Sequence, residues 1–241
     1  MKKILFLSVF LSMLISNSAF AFNDVNVNTS YKTAIEWMSD NKIITGYEDN
    51  TFKPDNCVTR AEFLKMLFLT DKADTTVPVG TAGSNYYDNM LSDVDLTSWY
   101  WPFVRTALKL NIIKGYPDGT FKPNQCVNRA EAIKMAVIES AKDNFVNDAW
   151  AGSSLMLSSY KDVDSSAWYF KYFTYVIFRN LVGQEHVKIV KNIQSDYGND
   201  QYFYLNKSMT RKEVAEMLYR MKAMKDNNAE IFTEGDVPKD L

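Results

Sequence analysis

Arg60, Arg129 and Arg211 recur in near-identical surroundings, CVTRAEF at 57–63, CVNRAEA at 126–132 and SMTRKEV at 208–214. A guanidinium is a permanent cation whose donors form a planar fork that fits a carboxylate or phosphate, so the chemistry on offer is anion recognition. Thr59-x-x-Glu62 and Thr210-x-x-Glu213 are capping boxes, and Asn128-x-x-Glu131 is the same device with another good cap. A helix is therefore predicted to begin at each arginine. That places each cation beside the positive end of a helix dipole, a position disfavoured by a few tenths of about 1 kcal/mol. A locally unfavourable choice made three times calls for a compensating anion. Two kinds are available: a protein carboxylate, with Asp24, Asp93 and Asp162 as candidates because each copy supplies one, or an external acidic ligand met by the arginine fork and unpaired helix amides.

The arginines belong to a longer repeating unit. Asp24-Val25, Asp93-Val94 and Asp162-Val163 open the copies, and helical spacing of apolar and aromatic residues predicts helices over 31–38, 101–110 and 168–178. A loop follows, GYEDNTFKP at 46–54 and GYPDGTFKP at 115–123, in which Asn50 and Gly119 share a slot suited to a left-handed backbone. In the third copy 28 positions separate Gly183 from Arg211, against 14 between the corresponding residues of the others. The extra length reads as an insertion at about 184–206, built as a short hairpin on VKIV and QYFY around Gly198. The expected division is a first repeat at 22–70, a linker at 71–91, a second repeat at 92–140, a linker at 141–159, a third repeat at 160–221 and a charged tail at 222–241.

Residues 1–21 read as a secretory signal peptide: Lys2 and Lys3, an apolar run, then Ala19-Phe20-Ala21 as a cleavage pattern. The apolar run is too short to span a bilayer, and no second transmembrane stretch follows. Without the two signal lysines, the 27 basic residues fall to 25 against 29 acidic ones, which gives nucleic-acid binding no electrostatic support. Cys57 and Cys126 occupy one slot in two copies. Export permits a disulfide between them if that slot lies near the axis relating the copies; otherwise they are two small buried apolar residues. His186 is the single histidine and lies in the insertion, so no histidine triad or multi-histidine metal site can be assembled. Paired carboxylates for glycan cleavage do not stand out by spacing, and neither DVDLTSWY nor YPDGTF follows a calcium-loop pattern.

The opening Asp-Val, the aromatic helix, GYPDGTFKP and a capped Arg-Ala-Glu together resemble the S-layer homology family, whose signature ends in Thr-Arg-Ala-Glu. The resemblance covers three tandem copies, with the glycine turn missing from the third. It implies a mainly α protein of helix-loop-helix repeats, arranged as a pseudo-threefold, three-lobed assembly around a central helical bundle. It further implies grooves between lobes that hold a cell-wall polysaccharide, commonly a secondary polymer bearing pyruvate, or peptidoglycan. Arg60, Arg129 and Arg211 would contact the acidic groups, and Trp99 and Trp168 would stack on sugar rings; the bland alternative for the tryptophans is core packing. The first copy has Ser30-Tyr31 in that region instead. Backbone amides near Gly46 and Gly115 would assist. The expected protein is non-catalytic, needs no cofactor and sits at the cell wall. S-layer or envelope proteins are further partners if it acts as a lattice or tether subunit, and glycan cleavage is the remaining alternative.

Overall fold

The computed structural model describes residues 22–73, 75, 87, 90–141, 160–183, 188–190 and 200–239. The signal peptide, most of both linkers and most of the insertion, with His186 and Gly198, lie outside them. The protein is mainly helical. Helices α1 (Lys32–Asp40), α2 (Arg60–Thr70), α3 (Trp101–Lys109), α4 (Arg129–Ala141), α5 (Phe170–Phe178) and α6 (Arg211–Asp226) alternate between a short first helix and a longer second one in each copy. Strands β1 (Lys188–Val190) and β2 (Asp200–Tyr202) pair antiparallel with Ile189 opposite Gln201, where the hairpin was expected.

The capping residues start the long helices as their chemistry requires. The hydroxyls of Thr59 and Thr210 accept from the amides of Glu62 and Glu213, whose carboxylates return to the caps, and Asn128 does the same with Glu131. The first two amides of each long helix are also taken, by another copy of the unit. Arg60 and Ala61 donate to Gln125 and Pro123, Arg129 and Ala130 to Lys207 and Leu205, and Arg211 and Lys212 to Asn56 and Pro54, all at 2.8–3.0 Å. The expectation of unpaired helix amides is therefore wrong: neighbouring carbonyls satisfy them before any ligand could.

These bonds run from the first copy to the second, from the second to the third and from the third back to the first. Bridges Thr59 with Cys126, Asn128 with Ser208, and Cys57 with Thr210 close the same ring. Cys57 and Cys126 form a disulfide with their alpha carbons 5.8 Å apart, so the slot does lie where the copies converge. Ser208 holds that slot in the third copy and leaves the link between the first two.

Helix packing interleaves the copies in the opposite sense. The short helix of each packs on the long helix of the one before: α3 on α2, α5 on α4, and α1 on α6. Ala34, Ile35, Met38, Val104, Ala107, Phe173 and Val176 are the fully buried apolar residues of these short helices. One continuous apolar core results, and no copy buries its own faces alone.

Candidate functional site

Phe52, Phe121 and Phe203 sit at the end of the repeated loop and are completely buried. Each is gripped from both sides of its peptide unit. Asp24, Asp93 and Asp162 accept the amide of that phenylalanine and of the residue after it, at 2.6–2.9 Å in all six bonds. The phenylalanine carbonyls accept from the arginines of a different copy: Arg211 Nε to Phe52 at 2.8 Å, Arg60 Nε to Phe121 at 2.8 Å and Arg129 Nη1 to Phe203 at 2.6 Å. The guanidinium carbons also lie over the phenylalanine rings at 4.7, 4.8 and 5.8 Å. The aspartates therefore do not neutralise the arginines. Both of their oxygens are committed to backbone amides that tie the start of each copy to its loop, and they do not line the grooves described next.

Two equivalent grooves open where three copies meet. The first, of about 210 Å³, is lined by Ile43 to Tyr47 from the first loop, Glu62, Lys65 and Met66 from α2, Trp99 of the second copy and Arg211 of the third. The second, of about 190 Å³, is lined by Ile112 to Tyr116, Glu131, Lys134 and Met135 from α4, Trp168 of the third copy and Arg60 of the first. Trp99 and Trp168 are 55% and 53% exposed, which rules out core packing; the buried indole of the second copy is Trp101. Lys65 and Lys134 hold their ammonium groups 5.7 and 5.4 Å from these indole centroids. Each groove thus presents an aromatic face beside two or more cations.

The arginines differ in how far the protein neutralises them. Arg211 donates to Phe52 and, at 3.4 Å, to the carbonyl of Thr45, and among the described residues it meets no carboxylate. Arg60 lies 3.1 Å from Glu131, whose other oxygen accepts from the Tyr116 hydroxyl at 2.6 Å. Burial and that hydrogen bond push the phenol up to about 12, so Tyr116 remains a neutral donor. Arg129 forms a 2.5 Å ion pair with the buried Glu213. In the first groove, by contrast, Glu62 turns an oxygen to Thr59 at 2.8 and 2.9 Å.

Gly46 and Gly115 line the grooves, and among the described residues their amides meet no acceptor. A β-carbon on Gly46 would come within 2.5 Å of the Phe22 ring, and one on Gly115 would strike Leu91 with φ at +78°. The glycines let the loop pass close to Phe22 and Leu91.

The third equivalent position is built from different residues. Tyr31, in the region where the other copies present an exposed tryptophan, packs its ring against Gly183 so closely that a β-carbon there would collide with it. Glu216 stands in the slot of Lys65 and Lys134 and pairs with Arg220, which also donates to Asn180. Arg129 thus differs from Arg211 in already holding a buried carboxylate.

Sequence reasoning did not single out Lys65 and Lys134. The available signal was a cation five residues after the arginine in the first two copies and a glutamate there in the third, but only the structure shows that this slot faces an indole from another copy. Burial and then the positive charges of Lys114, Lys171 and Arg60 hold the Lys134 ammonium below the ordinary lysine range. That environment is short of negative charge.

The sequence model of the S-layer homology domain matches residues 21–64 and 91–133. Relatives include a cellulosome-anchoring protein of Acetivibrio thermocellus, 30% identical over 119 residues covering 49% of this chain and 26% of that protein. A surface layer protein of Brevibacillus choshinensis is 26% identical over 198 residues, 79% of this chain and 17% of the relative. An endo-1,4-beta-xylanase A of Thermoanaerobacterium saccharolyticum is 32% identical over 111 residues, 46% and 9% respectively. The chain spans about a quarter or less of the length of each. The two matched segments contain the loop and capped arginine of the first two copies, and in them this chain carries S-layer homology domain sequence.

Proposed function

We propose that the protein is exported and attaches noncovalently, without catalysis, to a cell-wall polysaccharide that carries acidic groups, through the two grooves. The observation that carries the reading is the repeated constellation of a buried motif arginine, a lysine over an exposed tryptophan, and a lining glycine whose amide meets no acceptor among the described residues. A guanidinium and an ammonium supply charge to an acidic substituent, the indole supplies an apolar face to a sugar ring, and the amide supplies a directional donor. Among the described residues each groove is lined by one carboxylate, Glu62 engaged with Thr59 and Glu131 with Arg60 and Tyr116, rather than the pair that glycoside hydrolysis uses. An anchoring protein, a surface layer protein and a xylanase share the matched region, which supports a role common to all three, attachment, over the activity of any one. Arg211 and Trp99 with Gly46, and Arg60 and Trp168 with Gly115, are assigned as binding groups. Arg129 and the three aspartates are assigned to holding the repeats together. Two sites on one body, engaging one polymer chain, reinforce each other through effective concentration.

Co-sedimentation with cell-wall sacculi tests this. The wild-type protein should pellet with intact sacculi and stay in solution after chemical removal of the accessory polysaccharide. Lys65→Ala/Lys134→Ala and Trp99→Ala/Trp168→Ala should each lose about tenfold or more in affinity with an unchanged melting temperature, because these side chains are exposed or half-buried. Equal pelleting of all variants would assign the grooves no part in attachment.

A further inference from the structure

The two grooves are not equal, and the difference lies beyond Trp168. A second depression, of about 490 Å³, adjoins the Arg60 groove and is bordered by Ser165, Lys171 and Tyr172; Lys134 and Trp168 line both. The half-exposed indole is therefore a partition with a space on each side. Positive charge is concentrated around it. Lys114, Lys134 and Arg60 line the groove against the single carboxylate of Glu131, and Lys171 stands past the indole, its ammonium 5.0 Å from the Tyr172 ring centroid. The Lys134 ammonium feels both sets, since Lys114, Lys171 and Arg60 each disfavour its charged form. At the first groove the corresponding residues are Thr45 for Lys114 and Pro102 for Lys171, so the extra cations belong to the second groove alone.

We infer that the Trp168 cleft has two subsites and binds two successive acidic units of one polysaccharide chain, one in the Arg60 groove and the next beyond the indole, where Lys134 and Lys171 receive its charge. The Trp99 groove binds one. This rests on the attachment proposed above and adds the polarity and length of what is bound. A chain passing over the edge of an indole can place a sugar ring against each face, and a lysine shared between subsites favours charges spaced one unit apart. An anion at either subsite also offsets the repulsion among the cations.

The test uses the full chain with Lys65→Ala/Trp99→Ala, which removes the first groove, and measures affinity for sacculi that retain their accessory polysaccharide. On that background Lys171→Ala should weaken binding about three- to tenfold and flatten its dependence on salt, as loss of one partly screened ion pair does. The converse change, Pro102→Lys in a chain carrying Lys134→Ala/Trp168→Ala, should strengthen binding through the first groove. Melting temperatures monitor the fold; Lys171 is exposed, and its loss should leave that value in place. If the background variant pellets and Lys171→Ala changes nothing, the second subsite is refuted while attachment stands. If wild type pellets but the Lys65→Ala/Trp99→Ala background does not, the Trp168 cleft binds nothing and the inference falls. Should wild type itself fail to pellet with intact sacculi, attachment fails and the inference with it.

Discussion

A buried arginine is judged by what its removal leaves behind. Arg129→Ala would leave Glu213 charged and enclosed, an outcome that costs about 3–5 kcal/mol. Arg211→Ala would leave carbonyls without a donor but no carboxylate, about 1–3 kcal/mol. Arg60→Ala falls between, because Glu131 keeps its bond from Tyr116 and is partly open to water. Calorimetry should therefore rank melting temperatures as Arg129→Ala lowest and Arg211→Ala highest of the three. Binding should rank the other way: Arg129→Ala retains full sedimentation, and Arg211→Ala, which disables one of the two grooves, weakens it. Lys134 adds a pH dependence. Its pKa is lowered by burial and neighbouring cations, so an acidic ligand raises it and binding takes up a proton wherever Lys134 is partly deprotonated. Affinity should fall as pH rises through the lowered value, before ordinary lysines titrate. Lys134→Arg should remove that fall, which titration of binding against pH would show.

Among the elements, the loop between short and long helix sets the grooves, and its backbone demands differ slot by slot. Asn50 and Gly119 both adopt positive φ, at 56° and 76°, as their shared slot predicts. Nothing lies within 4 Å of where a Gly119 β-carbon would point. Gly119→Asn should then be neutral within about 0.5 kcal/mol, since the first copy already uses asparagine there. Gly115→Ala meets both positive φ and the Leu91 side chain, and should cost about 2 kcal/mol or more in urea unfolding. A similar loss for the two variants would mean that close approach to Leu91 does not constrain the loop.

Across the whole molecule, copies hold one another rather than themselves. The ring of backbone bonds and the interleaved helices leave each copy with an exposed apolar face when isolated. A fragment of residues 22–70 should show little helical circular dichroism. The disulfide closes a loop with a sequence separation of 69, which by chain entropy contributes about 4 kcal/mol. Cys57→Ser/Cys126→Ser should lower thermal stability by that order without displacing the grooves, because the ring also has its backbone bonds. A variant that melts early and still pellets with sacculi would show the two properties to be separate.

The sequence alone determined the repeat, the capped helices, the positive-φ slot and the hairpin, because each depends on neighbours a few residues apart: a Thr-x-x-Glu box closes on itself whatever surrounds it. It also marked the arginines, the loop glycines and the tryptophans. What it could not settle was which copy each of them serves. An arginine in the first copy completes the second, one in the third completes the first, and a tryptophan reaches forward from the next copy, so each groove is assembled from all three. Local rules carry no information about a partner 61 or 159 residues away. The same limit applied to the aspartates, which looked like counter-ions until the fold gave them backbone amides, and to Arg129, which the fold pairs with Glu213. Only tertiary packing decides which neighbours each of three near-identical motifs meets.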